Sequence, residues 1–290
     1  MNDVQIRTLQ VPGANLHHEI RGSGPLLLMI PGAPADAGAL SGLAAALSTR
    51  YTVITYDQRG LSRSPLTGPA RDQDVAVFTE DAHRLLTAHG GGPAYVLGNS
   101  GGALTALDLV ARHPEQVRAL VAHEPPIPEI LPDRERWRAV FQNVQDTYHA
   151  EGPGAAMQKF LTTIEGEPSG PPQMPDFSQM PPEALEMMGR IQGNIDFFLA
   201  HVLLPVLRFV PDLSALRSAA ARIAVGVGAA SPDGLPSRSA LALAERLGTE
   251  PIEFPGDHQG LTLDATTSAE IVHDAFTRLT RDAVAPAEVM

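Results

Sequence analysis

The stretch Ala94-Tyr95-Val96-Leu97-Gly98-Asn99-Ser100-Gly101-Gly102-Ala103-Leu104-Thr105-Ala106-Leu107-Asp108-Leu109-Val110 decides how the rest of the chain reads. Its first four residues form an apolar run and its last eight carry apolar side chains at helical spacing. The pattern is therefore strand, sharp turn, helix, with Ser100 at the turn. A serine in such a turn is held in a strained backbone conformation that lifts its hydroxyl clear of the sheet. The residues two before and two after it come so close to other backbone that a Cβ would clash. Gly98 and Gly102 meet that demand. The five-letter pattern alone is weak, since G-x-S-x-G arises by chance in about one chain in ten of this length. A glycine-rich turn that merely opens a helix would look the same, so the order of the surrounding elements has to carry the argument.

That order is regular. Residues 3–11 and 16–21 alternate apolar and polar side chains around Pro12-Gly13-Ala14, as in a β-hairpin. Leu26-Leu27-Leu28-Met29-Ile30 has no polar face, as expected of a central strand covered on both sides. It stops at Pro31-Gly32-Ala33-Pro34. A helix over 36–48, a strand over 51–56 and a helix over 75–89 follow, leading into the Ser100 strand. The helix after Ser100 runs to His113, and another strand, 117–122, ends at His123-Glu124-Pro125-Pro126. After a long interruption the rhythm returns with a strand over 223–227, a helix over 238–247, a strand over 252–254, the turn Pro255-Gly256-Asp257-His258 and a last helix over 266–283. This alternation predicts an α/β fold, a mostly parallel doubly wound sheet of about eight strands. The interruption is helical in pattern over 134–149, 154–164 and 182–204, with a Pro- and Met-rich loop over 167–182. It reads as an inserted helical cap, residues 125–219, on a core made of 1–124 and 220–290. Met174, Met180, Met187, Met188, Phe197 and Phe198 suit ordinary helix packing, and would equally suit a lid over an apolar pocket.

Composition narrows the class. At 290 residues the chain can bury a large core, and 43% hydrophobic with 19% charged residues is ordinary for a globular protein. A formal charge of −12 argues against a nucleic-acid partner or an anionic membrane surface. Cysteine is absent, which removes disulfides, thiol nucleophiles and thiolate metal sites together. No basic start precedes an apolar stretch, and no apolar run approaches 18 residues. A cytoplasmic protein without cofactor or metal is expected, acting on an apolar small molecule, with a homodimer as the compatible assembly.

A serine hydroxyl needs a base within hydrogen-bond reach and a carboxylate to hold that base in the right tautomer. His258 is the best base among the ten histidines. It follows the last strand, at the sheet edge where Ser100 also emerges. His17, His18, His83, His89, His113, His149 and His273 fall on helices or the early hairpin and read as structural or solvent-facing. His201 falls in the cap, where packing is the expected role. For the carboxylate the residues leave two candidates open, Glu124 at the end of strand 117–122 and Asp233 in the turn after strand 223–227. Asp257 adjoins His258, and neighbouring residues point apart. Oxyanion donors are expected from the backbone N–H groups of Gly101 and Ala33. Gly32, beside Ala33, is expected against substrate. Asp57 and Arg59 read as a structural brace.

Four stretches together resemble the α/β-hydrolase superfamily: Pro31-Gly32-Ala33-Pro34, Tyr56-Asp57-Gln58-Arg59-Gly60, Gly98-Asn99-Ser100-Gly101-Gly102 and Pro255-Gly256-Asp257-His258. A serine at position 100 separates the chain from the haloalkane dehalogenases and epoxide hydrolases, which use Asp there. A narrower resemblance is to the fungal-type zearalenone hydrolases, which open a resorcylic acid lactone. Their His-Glu-x-Pro segment corresponds to His123-Glu124-Pro125-Pro126, and their Val-Gly-Ala-Ala-Thr-Pro to Val227-Gly228-Ala229-Ala230-Ser231-Pro232, a run without an acid. The resemblance implies Glu124 as the acid that partners Ser100 and His258. It also places Phe198 where that family presents a cap tryptophan to substrate. The loop Pro31-Gly32-Ala33-Pro34 departs from the family's Pro-Asp-Gly. The activity implied is cleavage of an ester or lactone through an acyl-enzyme. Hydrolysis of a diketone carbon–carbon bond, or a small-molecule receptor on the same fold, are the alternatives.

Overall fold

The structure is a computed structural model that describes residues 4–165 and 180–282. Its centre is one eight-stranded sheet. The strands are β1 (Gln5–Val11), β2 (Ala14–Arg21), β3 (Leu26–Ile30), β4 (Thr52–Tyr56), β5 (Ala94–Asn99), β6 (Val117–His123), β7 (Ile223–Gly228) and β8 (Ile252–Phe254). They lie in the order β1-β2-β4-β3-β5-β6-β7-β8. β2 runs antiparallel to both its neighbours, β1 and β4, and from β4 to β8 every pairing is parallel. The chain passes from β3 outward to β4, then returns to place β5 on the other side of β3. That reversal opens a crevice at the carboxyl ends of β3 and β5, where open α/β sheets hold their ligands.

The apolar strands are buried as their sequences require. Leu27 to Ile30, Val53, Ile54, Val96, Leu97 and Ala119 to Ala122 are inaccessible to solvent. One face of the sheet packs on α2 (Val75–Ala88), α3 (Gly101–Arg112) and α9 (Leu235–Leu247). The other packs on α1 (Ser41–Leu47) and α11 (Ala265–Asp282). Asp36 caps a short 3-10 turn before α1, and Asp74 caps α2 through the Val77 amide at 3.1 Å.

Between β6 and β7 lie α4 (Arg134–Glu151), α5 (Pro153–Glu165), α6 (Pro182–Phe197), α7 (Leu203–Leu207) and α8 (Leu213–Ser218). They carry a third apolar cluster, in which Trp137, Phe141, Ile164, Phe198, Val202 and Leu203 pack with Phe78 of α2 and Leu235 of α9. The loop read over 167–182, with Met174, lies outside the described residues through residue 179.

Three boundaries differ from the sequence reading for identifiable reasons. The helix expected over 182–204 is broken, with α6 ending at Phe197 and a π-turn over Phe198–Val202 leading into α7. Pro205 is the cause: it has no N–H to donate, and its ring would strike the carbonyl four residues back. That carbonyl, on His201, accepts instead from the Gln73 amide at 2.8 Å. α9 begins at Leu235, three residues early, because Pro236 suits a first helical turn. A short helix, α10 (Gly260–Leu263), separates His258 from α11.

Candidate active site

Four loops at one edge of the sheet build the site. They follow β3, β5, β6 and β8, whose carboxyl ends all point the same way because those strands are parallel.

The loop after β5 holds Ser100 at φ 53°, ψ −123°, a conformation sparsely allowed to any residue with a side chain. The neighbouring glycines make it attainable. A Cβ on Gly98 would lie 2.6 Å from Ala103 Cα, and one on Gly102 would lie 2.3 Å from the Ile30 carbonyl oxygen. Gly32, after β3, is equally constrained, since a Cβ there would stand 2.8 Å from Ser100 Cβ and 3.4 Å from its Oγ. The glycine at 32 keeps the space over the hydroxyl open.

His258 Nε2 lies 3.1 Å from Ser100 Oγ, and His258 Nδ1 lies 2.6 Å from Glu124 Oε2. The other carboxylate oxygen of Glu124 accepts from the Gly228 amide at 2.9 Å. Glu124 is wholly buried and, like Ser100, sits at positive φ without being glycine, at 44°. Its own amide donates to the Gly226 carbonyl at 3.0 Å, which ties the turn to β7. Burial pushes the Glu124 carboxyl up, but hydrogen bonding from His258 and the Gly228 amide outweighs it and holds the group below the usual carboxylate range. Glu124 is thus anionic at neutral pH, and His258 Nδ1–H is the donor that meets it.

Asp233, the other candidate acid, is 94% exposed at its side chain and comes no closer to a cation than 3.9 Å from Arg238 Nε. Its turn leaves the sheet edge before the carboxylate could reach His258. Asp257 is exposed and accepts from the Gln259 amide at 2.9 Å.

Behind Ser100, His258 and Glu124 is a pair the sequence did not point to. His123 Nδ1 and Asn99 Oδ1 are 2.9 Å apart, linking the last residues of β6 and β5. Burial pulls His123 down to about 4, against the pull of Glu124 in the opposite direction. The imidazole is neutral, and its Nδ1–H donates to Asn99.

Ser100 opens onto two cavities. The inner one is lined by Phe78, Phe160, Phe198, Val202, Leu203 and Leu207, among others, together with Ala33, Gln58 and Gly101. The outer one is shared with His258, Asn99, Gly32, Gln192 and Gln259. Ala33, Ser100, Phe160 and Ile164 border both, so these are two halves of one cleft. Gly101 is the first residue of α3 and its N–H has no acceptor within the helix. The backbone of Ala33 faces it closely: a Cβ on Gly101 would be 3.8 Å from Ala33 N. Both amides border the space beside Ser100.

Other expectations find their places. Phe198 borders the inner cavity, whereas Phe197 packs on Gly60, where a Cβ would stand 2.3 Å from its ring. His201 pairs with Asp72 at 3.2 Å and lines neither half of the cleft. Among the described residues, His258 is the one histidine on the cleft. Asp57 and Arg59 do brace loops, but with different partners. Asp57 accepts from the Ala37 amide at 3.0 Å and from Arg63 Nε at 2.7 Å, while Arg59 Nε binds Asp81 at 2.6 Å.

A doubly wound sheet with a serine on a strained strand-to-helix turn, a histidine after the last strand and a buried carboxylate between them is the architecture of a hydrolase of α/β type. The α/β hydrolase fold family model matches residues 25–161. Over 273 residues, 92% of this chain and 94% of the relative, the chain is 36% identical to the uncharacterized hydrolase YraK of Bacillus subtilis (strain 168). The chain belongs to the α/β-hydrolase family. Among solved structures, a thermophilic esterase from Thermogutta terrifontis is similar with a TM-score of 0.71 at 17% identity, covering 97% of this chain and 99% of that one. The enol-lactonase from Burkholderia xenovorans LB400 is similar with a TM-score of 0.68 at 20% identity, covering 93% and 100%. At these identities the two structures speak for the fold. Among the described residues no helix is long and apolar enough to cross a membrane.

Proposed function

We propose that this hydrolase is a serine esterase or lactonase that works through an acyl-enzyme. The observation that carries the reading is the unbroken line from Ser100 Oγ through His258 to Glu124, 3.1 Å and 2.6 Å, beside an apolar cavity. As Ser100 Oγ attacks the substrate carbonyl, His258 Nε2 takes its proton and Glu124 stabilises the imidazolium through Nδ1–H. The oxyanion that forms is received by the N–H groups of Ala33 and Gly101. His258 then gives its proton to the leaving oxygen and the alcohol departs, or in a lactone the ring opens. A water deprotonated by the same nitrogen attacks the acyl-enzyme, and the proton returns to Ser100 as the acid is released.

Residues 125–219 act in this reading as a cap that encloses the acyl-enzyme, with Phe198 against substrate. The shared His-Glu-x-Pro segment makes a macrocyclic lactone of the zearalenone kind the first substrate to try. Purified protein is expected to open zearalenone, or to cleave simple aryl esters, in a way that Ser100→Ala abolishes by several orders of magnitude in kcat. Product followed chromatographically decides between the two. Wild-type-like turnover by Ser100→Ala would overturn the mechanism.

A further inference from the structure

Apart from Ser100 itself, the inner half of the cleft is lined by one polar side chain. Gln58 is 3% exposed and borders that cavity with Ser100, Gly101, Phe78 and Phe198. Its backbone carbonyl accepts from the Leu61 amide at 3.0 Å, but its side-chain amide has no hydrogen-bond partner among the described residues. Gln58 is also not among the side chains whose polar atoms are both sealed from solvent and unpartnered, so its amide stays reachable from the cavity it borders. Its place in the chain is fixed from both sides. Both neighbours are locked, Asp57 to Arg63 and the Ala37 amide, and Arg59 to Asp81. The polar end of Gln58 is thus held in an apolar cavity beside the nucleophile, offering two donors and an acceptor to whatever enters.

The geometry also says which part of a substrate enters. His258 must protonate the leaving oxygen, so the leaving group departs on the side of the cleft that His258 borders, which is the outer half. His258 does not border the inner half. The acyl group is left with the inner half.

We infer that Gln58 is a specificity-determining residue that hydrogen-bonds a hydroxyl or keto oxygen carried on an otherwise apolar acyl group. The site is built for such acyl groups and not for plain fatty acyl chains. The inference rests on the acyl-enzyme reading of Ser100 and deepens it. A site whose buried polar group is satisfied by substrate discriminates against the analogue that leaves it unpaired.

The experiment uses p-nitrophenyl esters of a straight-chain alkanoic acid and of the same acid bearing one hydroxyl or one keto group at each position in turn. Wild type is expected to prefer at least one substituted ester over the plain one by about tenfold or more in kcat/KM. Gln58→Leu, nearly the same size and apolar, is expected to erase or reverse that ratio, and Gln58→Met serves if the leucine variant does not fold. An unchanged ratio, or no preference for any substituted acyl group in wild type, overturns the inference. A Gln58-dependent preference for a hydroxyl on the alcohol half overturns the assignment of the inner cavity to the acyl group. Should no ester be hydrolysed, the acyl-enzyme reading has failed separately. Calorimetric binding of the same esters to Ser100→Ala, with and without Gln58→Leu, then tests the amide contact alone. There the substituted esters are expected to bind more tightly only when Gln58 is present, and equal affinities overturn the inference.

Discussion

Ser100 and Glu124 adopt positive φ without being glycine, at 53° and 44°, as does Ser62 at 47°. Each conformation costs on the order of 1–3 kcal/mol and persists only where the surroundings over-determine it. Around Ser100 those surroundings are Gly98, Gly102 and Gly32, each within clash distance of other backbone or of the serine itself. Around Glu124 they are the bonds to Gly226 and Gly228 of β7. The outcome is a carboxylate turned toward His258 from an adjacent strand. Replacing Glu124 by Gln keeps the size but removes the charge that holds the imidazole, and kcat is expected to fall by about 10²- to 10⁴-fold. Asp233→Asn, at an exposed turn, is expected to stay within about threefold of wild type. Steady-state kinetics on the two variants separate the acids, and a crippled Asp233→Asn enzyme would refute the role given to Glu124.

At the scale of elements, α6 is tied to the loop that carries Ala33. Asn194 donates to the Pro34 carbonyl and to Ser62 Oγ, both at 2.8 Å, and accepts from the Ser62 amide at 2.6 Å. One turn earlier, Arg190 Nε binds Asp36 Oδ2 at 2.6 Å. The helix therefore holds the Pro31–Asp36 loop from above, while Asp57 holds it from below through the Ala37 amide. Asn194→Ala would leave the Ser62 amide and the Pro34 carbonyl without partners in a half-buried setting. The expected cost is about 1–3 kcal/mol in stability by urea unfolding. Under the proposed mechanism a fall in kcat larger than any rise in KM is also expected, since a loosened Ala33 amide would weaken the oxyanion contact proposed for it more than binding of the ester. A variant that loses stability but keeps wild-type kcat would show that this tie serves folding alone.

For the molecule as a whole, the buried histidines set its tolerance of acid. His123 is held at about 4 by burial, and so is His18, whose Leu16 carbonyl contact opposes the shift. In the unfolded chain both would titrate near 6.5, so between about pH 6.5 and about pH 4 the unfolded state binds more protons than the folded one. Their contribution to stability is complete above that window and is lost as the pH falls through it. Unfolding free energy is expected to drop between about pH 7 and about pH 5, and His123→Gln is expected to drop less, by about 1–2 kcal/mol. Equal drops in the two proteins would contradict the neutral, buried state of His123.

What the sequence determined by itself was whatever local chemistry imposes. Short apolar runs bounded by turn residues, such as Leu26–Ile30, read as strands covered on both faces, and their alternation with amphipathic segments points to a parallel sheet. Gly98 and Gly102 around Ser100 announce a turn that tolerates no Cβ, and His258 after the last strand falls at the same edge. The choice between Glu124 and Asp233 was not local. Both follow strands of one parallel sheet, and only the pairing of β6 between β5 and β7, with the backbone twist at Glu124, turns one carboxylate inward and leaves the other in solvent. The break at Phe198 was marked in advance by Pro205, yet where the freed carbonyl would go depended on Gln73, more than a hundred residues away. Gln58 lay in plain view inside Asp57-Gln58-Arg59-Gly60, but no periodicity or motif distinguishes it from a surface glutamine. Its meaning comes from helices far along the chain that close over it, because burial and unpaired hydrogen-bonding capacity are properties of an assembled cavity and not of a residue in sequence.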